Sequence, residues 1–464
     1  MKLILAPLLA SLILAGCATV PDIDPKALPV TPAAFKEGEG RWAAVRPADA
    51  QPRGEWWKSF ADPVLDRLVE RAAENNTSIA VAAARLAQAR ALLQSNVANQ
   101  WPQLGLGATA SRAGGTANQA QLPSGTLTTA GANLSYEIDL FGKLAKASLA
   151  SELDAQAREA LLLNTRLLVQ ADVAQAYFAL RGLDEERALV RRTVSAYRDT
   201  AALTERRFRA GDVAELEVLR AGTQVASTEA EAFALDRRRA ELEHAIAVLV
   251  GEPASSFGLV ETDWTTALPV IPAGVPSTVL ARRPDVAAAQ RTVLASSVRI
   301  GVAEAAWFPD LSLTGAAGYA SPEIGDLFKW SLRSWGVGAL LALPIVDGGR
   351  RDAGVQFANA ERDATLAQYR ERVLVAFKDV EDQLSALRHL ASQAAAQERA
   401  VTSATRSTAL SDVRYRNGYV SQLDLLDAQR SELANRRQSV QVRTAQYQAT
   451  VGLVRALGGG WGQS

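Results

Sequence analysis

The sequence has 464 residues, and its 50 basic and 50 acidic side chains cancel to zero formal charge, so it carries no electrostatic footprint for nucleic acid. Two histidines, His244 and His389, and one cysteine, Cys17, exclude a disulfide framework, thiolate zinc sites and most histidine-based catalysis. Apolar residues make up 48% but aromatic ones only 6%, and much of the apolar share is alanine, which suits closely packed helices better than a thick globular core.

At the start of the chain, Met1-Lys2 precedes an apolar run from Leu3 to Leu14, too short for a stable spanning helix and suited to a signal-peptide core. The run closes on Leu14-Ala15-Gly16-Cys17, which resembles the bacterial lipobox: residues 1–16 are removed and Cys17 becomes a lipidated N-terminus. Residue 18 is alanine rather than aspartate, so nothing resembles an inner-membrane retention signal, and an outer-membrane lipoprotein is expected. A plain signal peptide with an incidental cysteine is the alternative. Residues 17–63 read as an irregular arm, in which Trp56-Trp57 anchor against the helices.

From residue 64 onward the chain is a duplication. An offset of 207 aligns Pro102, Leu104 and Leu106 with Pro309, Leu311 and Leu313, Asp172-Val173 with Asp379-Val380, and Gly211 with Gly418, and ends at Gly251 against Gly458. The first repeat covers 64–250: a helix from Val64 to Asn99, two strands within 101–142, and a helical hairpin over 143–250. A connector over 251–284 follows, containing five prolines and Trp264. The second repeat covers 285–457, with a helix from Asp285 to Ala306, two strands within 308–349 and a hairpin over 350–457, before a tail at 458–464.

The segments 143–210, 212–250, 350–417 and 419–457 hold none of the 18 prolines and four of the 32 glycines, which predicts helix throughout. The longer ones make rods of roughly 100 Å at ~1.5 Å per residue. Apolar and alanine positions such as Val173, Ala176, Tyr177 and Leu180 recur at steps of three and four, as lengthwise coiled-coil packing requires.

The strand stretches alternate with period two, as in Leu104, Leu106, Ala108 and Ala110, and again in Val337, Ala339, Leu341, Leu343 and Ile345. Each supplies the ~9–11 residues of a tilted membrane strand, and Trp101, Tyr136, Trp307, Tyr319, Trp330 and Trp335 suit interfacial girdles. The links 112–129 and 320–334 read as external loops. Four strands cannot close a barrel, because an open edge in lipid leaves backbone groups unsatisfied, so several copies must share one. Two soluble hairpins capping a helical bundle are the other reading.

The helical hairpins turn at Gly211-Asp212-Val213 and Gly418-Tyr419-Val420, where glycine supplies a positive φ. Beyond the second turn, Asp424 and Asp427 lie on one helical face. Oligomerisation would stack them into acidic rings around a cation-attracting constriction. Equally, they are acids favouring a helix N-terminus, with Asp427 paired to Arg430; Glu217 stands at the place of Asp424 in the first repeat and has the same alternative.

The lipobox, the duplicated strand and helix hairpins, and the phrase from Tyr415 to Arg430 resemble the TolC-like outer membrane factors, and the lipobox resembles that of the OprM/NodT lipoprotein branch. The resemblance implies an α plus membrane β-barrel fold: a homotrimer with a twelve-stranded barrel in outer-membrane lipid and a helical periplasmic tunnel. It implies a non-enzymatic exit duct for drugs and small amphiphilic molecules, with no cofactor beyond the covalent lipid on Cys17. A periplasmic adaptor (membrane fusion) protein would dock at the turns, and an inner-membrane pump of the RND type would drive transport. By that likeness Asp424 and Asp427 line the periplasmic aperture and Leu423 narrows it. Tyr415 and Arg430 belong to links that hold the tips closed, with Glu217 a partner on the neighbouring hairpin. The basic residue some members carry two after the second tip glycine is here Val420, a role Arg416 could take over, and Phe208 opposite Tyr415 deprives the first repeat of a matching hydroxyl. The competing functions are a type I secretion duct, or a lipid-anchored periplasmic coiled-coil adaptor or scaffold.

Overall fold

In a computed structural model of the chain, residues 29–32, 34–38, 54–113, 125–269 and 282–459 are described. Cys17 and the signal segment lie outside them. Eleven principal elements follow in chain order among the described residues: α1 (Pro63–Asn75), α2 (Thr77–Ala98), β1 (Gln103–Ala113), β2 (Gly125–Ile138), α3 (Lys143–Arg209), α4 (Glu215–Leu249), α5 (Pro284–Ala305), β3 (Asp310–Ser321), β4 (Arg333–Ala342), α6 (Arg350–Arg416) and α7 (Gln422–Ala456). None of these helices is long and apolar enough to cross a membrane.

The chain divides into two compact units. The first comprises residues 84–160 and 288–371 together with Pro29 among the described residues. Its sheet has the order β1-β2-β3-β4, antiparallel throughout. Strands β2 and β3 come from different repeats, yet pair over eleven positions from Thr128↔Ser321 to Ile138↔Leu311. The register brings Leu106, Ala132, Ala317 and Trp335 into one cross-strand row and Leu104, Leu134, Gly315 and Val337 into another. Side chains alternate along a strand, so one face is apolar. The opposite face carries Gly107, Thr109, Thr129, Gly131, Asn133, Thr314, Gly318 and Gly338. On it the Thr109 and Thr129 hydroxyls meet at 2.7 Å.

Gly131 and Gly318 are cross-strand partners that no other residue can replace in place: a Cβ on Gly131 would stand 2.6 Å from the Ala317 carbonyl, and one on Gly318 would stand 2.6 Å from the Gly131 Cα. On this face the β2 and β3 backbones leave no room for a side chain at either position. Leu106 (87% exposed), Trp335 (77%) and Val337 (82%) stand free on the apolar side.

Strand β4 ends at Ala342, so Leu343 and Ile345 fall outside the strand in which the alternation placed them. β2 begins at Gly125, inside the stretch read as loop. Where strands feed helices, the Phe141 and Phe308 rings stack at 4.6 Å, and Lys143 pairs with Glu137 (3.2 Å) and Asp310 (3.1 Å). Below, α3 and α5 pack through Ala150, Leu153, Leu294, Ala295 and Val298.

The second unit comprises residues 30–83, 161–287 and 372–464 as far as they are described. The single helix read from Val64 to Asn99 is two. Asn76 leaves helical geometry with ψ 126°, its side-chain oxygen accepts from the backbone N–H of Ser78 (2.9 Å) and Ile79 (3.3 Å), and its amide donates to the Leu249 carbonyl (2.8 Å). Asparagine here satisfies the free donors of a new helix start, which outweighs continued helix. Trp56 and Trp57, in a short 3-10 turn, are buried, and the Trp56 indole donates to Gln170 on α3.

The repeat is visible in helix ends as well as in sequence. After α3 the Asp212 and Gly211 N–H groups donate to the carbonyls of Arg207 and Phe208. After α6 those of Tyr419 and Gly418 donate to Arg414 and Tyr415. Both are Schellman closures, with Gly211 at φ 83° and Gly418 at φ 77°. The ends of α4 and α7, at Gly251 and at Gly458-Gly459, close in the same way.

Candidate aperture at the helix turns

The two hairpins, α3/α4 and α6/α7, meet near their turns through a small buried polar cluster. Thr204 on α3 is 0% exposed, and its hydroxyl donates to the Thr200 carbonyl (3.0 Å). It also lies 3.0 Å from the Tyr415 hydroxyl and receives the Gln422 amide at 3.3 Å. Arg207 covers the Tyr415 ring, its guanidinium 5.0 Å from the centroid, and donates to the Tyr415 carbonyl. About two turns further along α7, the Arg430 Nε donates to the Gln224 side-chain oxygen on α4 at 2.7 Å. Tyr415 and Arg430 therefore each reach across from the second hairpin to the first.

The partners on the first hairpin, Thr204 and Gln224, and the bridging Gln422 are not apparent from the sequence motif. Their signal is a polar interruption of the packed stripe: Thr200 and Thr204, then Gln224 and Thr228, each four residues apart on an inward helix face.

Asp424 and Asp427 are both exposed, as is Leu423 at 46%. Behind them Gln422, Leu425 and Leu426 turn inward. The Asp424 carboxylate closes a capping box: it accepts from the Ser421 hydroxyl (2.7 Å) and backbone N–H (3.0 Å), while the Asp424 N–H donates to the Ser421 hydroxyl. The Ser421 hydroxyl and N–H hold the Asp424 carboxyl below its ordinary value. Asp427 stands 3.8 Å from Arg430 in an exposed i,i+3 pair. Both acids thus serve their own helix and also present charge to solvent.

Two residues singled out from the sequence make no cross-hairpin bond among the described residues. Arg416 bonds Asp412 one turn back on its own helix (Nε–Oδ1 3.1 Å), because that carboxylate is the near anion, so it is not a cross-hairpin link. Glu217, half-buried at the third position of α4, has no side-chain hydrogen bond or ion pair among the described residues, and the Ala214 N-cap has no side chain to form a capping box with it. Around the turns Asp212 and Tyr419 are exposed and Val213 and Val420 half-buried, and nothing lies within 4 Å of a Cβ placed on Gly211 or Gly418. Among the described residues no group of three His, Cys, Asp or Glu side chains is placed to hold a metal ion.

Comparison with known proteins decides the family. The model of the outer membrane efflux protein family matches residues 68–252 and 275–459, one match for each repeat. The chain belongs to the outer membrane efflux protein family. Relatives include the probable efflux pump outer membrane protein TtgC of Pseudomonas putida, 32% identical over 99% of this chain and 96% of that protein. The cation efflux system protein CusC of Escherichia coli is 29% identical over 99% of each. Among solved structures, the outer-membrane channel OprN is similar with a TM-score of 0.86 at 30% identity, covering 96% of this chain and all of that one. This efflux protein is accordingly an outer-membrane channel component with the TolC-like fold, in which a strand hairpin and a long helical hairpin occur twice.

Proposed function

We propose that three copies of this chain form a passive exit duct of a tripartite efflux system, gated at the helix turns. The carrying observation is the sheet: four antiparallel strands with one largely apolar face and, among the described residues, no strand partner on the outer edges of β1 and β4. Such edges in lipid leave backbone groups unsatisfied at several kcal/mol each, and three such sheets make a twelve-stranded closed wall. The channel has no catalytic step of its own. Transport is driven by an inner-membrane pump of the RND type, coupled through a periplasmic adaptor that seats on the turns around Gly211 and Gly418. Acylation of Cys17 adds an anchor in the outer membrane.

Relatives are named for antibiotic, toluene, cation and pyoverdine export. With apolar and polar cargo both represented, we assign small amphiphilic molecules and drugs as the substrate class. At the turns, Asp424 and Asp427 from three chains form acidic rings that favour cations, and Leu423 narrows the passage. The Tyr415–Thr204 and Arg430–Gln224 links hold each chain's two hairpins together in the closed state, and the adaptor shifts the population toward tips apart. Planar-bilayer conductance tests this: the purified protein should give a small cation-preferring conductance that rises when Tyr415 and Arg430 are replaced. No pore under either condition would refute it. For the anchor, Cys17→Ser should abolish acyl labelling while the strands keep the protein in the membrane.

A further inference from the structure

Charge on the strands is sparse and sorted by position. Each strand carries one charged side chain: Arg112 on β1, Glu137 on β2, Asp310 on β3 and Arg333 on β4. Both acids stand at the ends that join helices, and both arginines at the ends that lead into the links between strands.

The register separates the two signs by face as well. Residues two apart share a face, so Arg112 is on the side of Leu104 and Leu106, and Arg333 on the side of Trp335 and Val337, the apolar one. Glu137 and Asp310 are on the opposite face, where Lys143 pairs with both. With the helices in the periplasm, the link end of the sheet reaches the outer leaflet and the apolar face meets lipid. An arginine on that face is costly at the bilayer centre and tolerated at its border, where anions are within reach.

Neither arginine has an acidic partner among the described residues, and both are exposed. The Arg333 guanidinium lies over the Trp330 ring, 4.7 Å from its centroid, and donates one N–H to the Trp330 carbonyl at 3.0 Å. Its other donors are uncommitted. Trp330 and Phe328 are 70% and 73% exposed, and Tyr319, the cross-strand partner of Arg333, meets the Phe328 ring edge-on at 5.6 Å. Of the acids in the second link, Asp326 pairs with Lys329 at 2.7 Å, and Glu323 makes no ion pair among the described residues. Residues 113–136 contain no acid at all. An unpaired guanidinium set among exposed rings, at the edge of an apolar face, matches a ligand with an anionic head and apolar tails.

We propose that Arg333, flanked by Trp330 and Phe328, binds the phosphate-bearing headgroup of an outer-leaflet lipid whose acyl chains lie on the apolar face, with Arg112 as the second cation. The proposal rests on the duct reading, which puts this face in lipid. In a wall closed from three copies, β4 of one copy adjoins β1 of the next, so each seam brings one Arg333 and one Arg112 to neighbouring strands at the same end. A planar guanidinium donates two parallel N–H groups to phosphate oxygens, which an ammonium cannot do.

Native mass spectrometry of the full-length purified oligomer, titrated with diphosphoryl lipid A or with phosphatidylcholine, tests this. The parent should bind lipid A more tightly than phosphatidylcholine. Arg333→Gln should weaken lipid A binding about fivefold and Arg112→Gln/Arg333→Gln about twenty-fivefold, with phosphatidylcholine binding unchanged. Arg333→Lys should fall between parent and Arg333→Gln, and Lys329→Gln, which removes a cation already paired, should bind like the parent. Unaltered lipid A binding in the double variant would overturn the site, as would an equal loss in Lys329→Gln. Should the double variant fail to assemble, salt on the parent decides: lipid A binding that does not weaken with rising sodium chloride would overturn the site. A pore in phosphatidylcholine bilayers without any preference for lipid A overturns the site alone, whereas no pore in bilayers of either lipid overturns the duct reading and the site with it.

Discussion

Replacing Thr204 with valine is the sharpest test of the tip. Valine keeps the volume and branching but removes the hydroxyl that touches the Thr200 carbonyl, the Tyr415 hydroxyl and the Gln422 amide. Tyr415 and Gln422 are each 2% exposed, so neither can turn to water while the hairpins stay together. A buried polar group left unpaired costs about 1–3 kcal/mol, and two such groups raise the closed arrangement by about 3 kcal/mol per chain. With the tips apart both groups are hydrated and the penalty vanishes, so the equilibrium moves toward open by about a hundredfold per chain. Open probability in planar bilayers reads this directly. Thr204→Ser, which restores the hydroxyl, should behave like the parent and separates hydrogen bonding from packing. If Thr204→Val gives the parent's open probability in the same preparation, the cluster does not hold the tips and the reasoning fails.

Three further outcomes follow from the geometry. Because the Ser421 hydroxyl and N–H depress the Asp424 pKa, the capping box stabilises the start of α7 above the ordinary carboxylate range and loses that contribution as pH falls through the depressed value. A Tyr419→Trp fluorescence reporter should therefore be flat from pH 7 to 5 and change below about 4, and a Ser421→Ala background should move the change upward toward the ordinary value. Asp424→Asn with Asp427→Asn should reduce the cation preference in salt-gradient reversal potentials, and an unchanged potential would show that the acids serve only their helix. Gly318→Ala places a Cβ against the Ala130 carbonyl and 2.6 Å from the Gly131 Cα, so it should force β2 and β3 apart. Heat-resistant oligomer on a gel should fall well below that of a Gly336→Ala control, where nothing lies within 4 Å.

The long helices and the strands were legible because their signals are repetitive: absence of proline over many turns, alternation over ten residues, and one offset linking two halves. The break at Asn76 was not, since asparagine inside an apolar stretch gives no sign that its side chain will cap a new helix and bond Leu249 far along the chain. Tyr415 and Arg430 could be singled out by pattern, but their partners Thr204 and Gln224 lie more than two hundred residues away. Arg416, offered as a replacement for a missing basic residue, has a local partner within the chain: Asp412 sits one turn away, and an i,i+4 pair needs no chain to come from elsewhere. The connector stretch 259–264 was read as irregular cover because its bonds from Arg239, Arg181 and Arg443 go to backbone carbonyls, which leave no trace in side-chain pattern.

Where the two repeats agree they share geometry, and where they disagree they divide a task. Glycine turns and Schellman ends recur at the same offset because any helical hairpin of this length needs them. The hydroxyl at Tyr415 faces Phe208 in the other copy, the cap at Ser421 faces Ala214, and Arg430 faces Thr223. One copy thus carries Tyr415, Arg430 and the capped acidic helix start, while the other supplies Thr204 and Gln224 as their partners and reaches back with Arg207 onto the Tyr415 ring and carbonyl. A tip built from two identical hairpins would have to break equivalent bonds on both sides of every helix to open. Here Tyr415 and Arg430 have no counterpart in the other copy, so within each chain the polar links near the turns form one set rather than two.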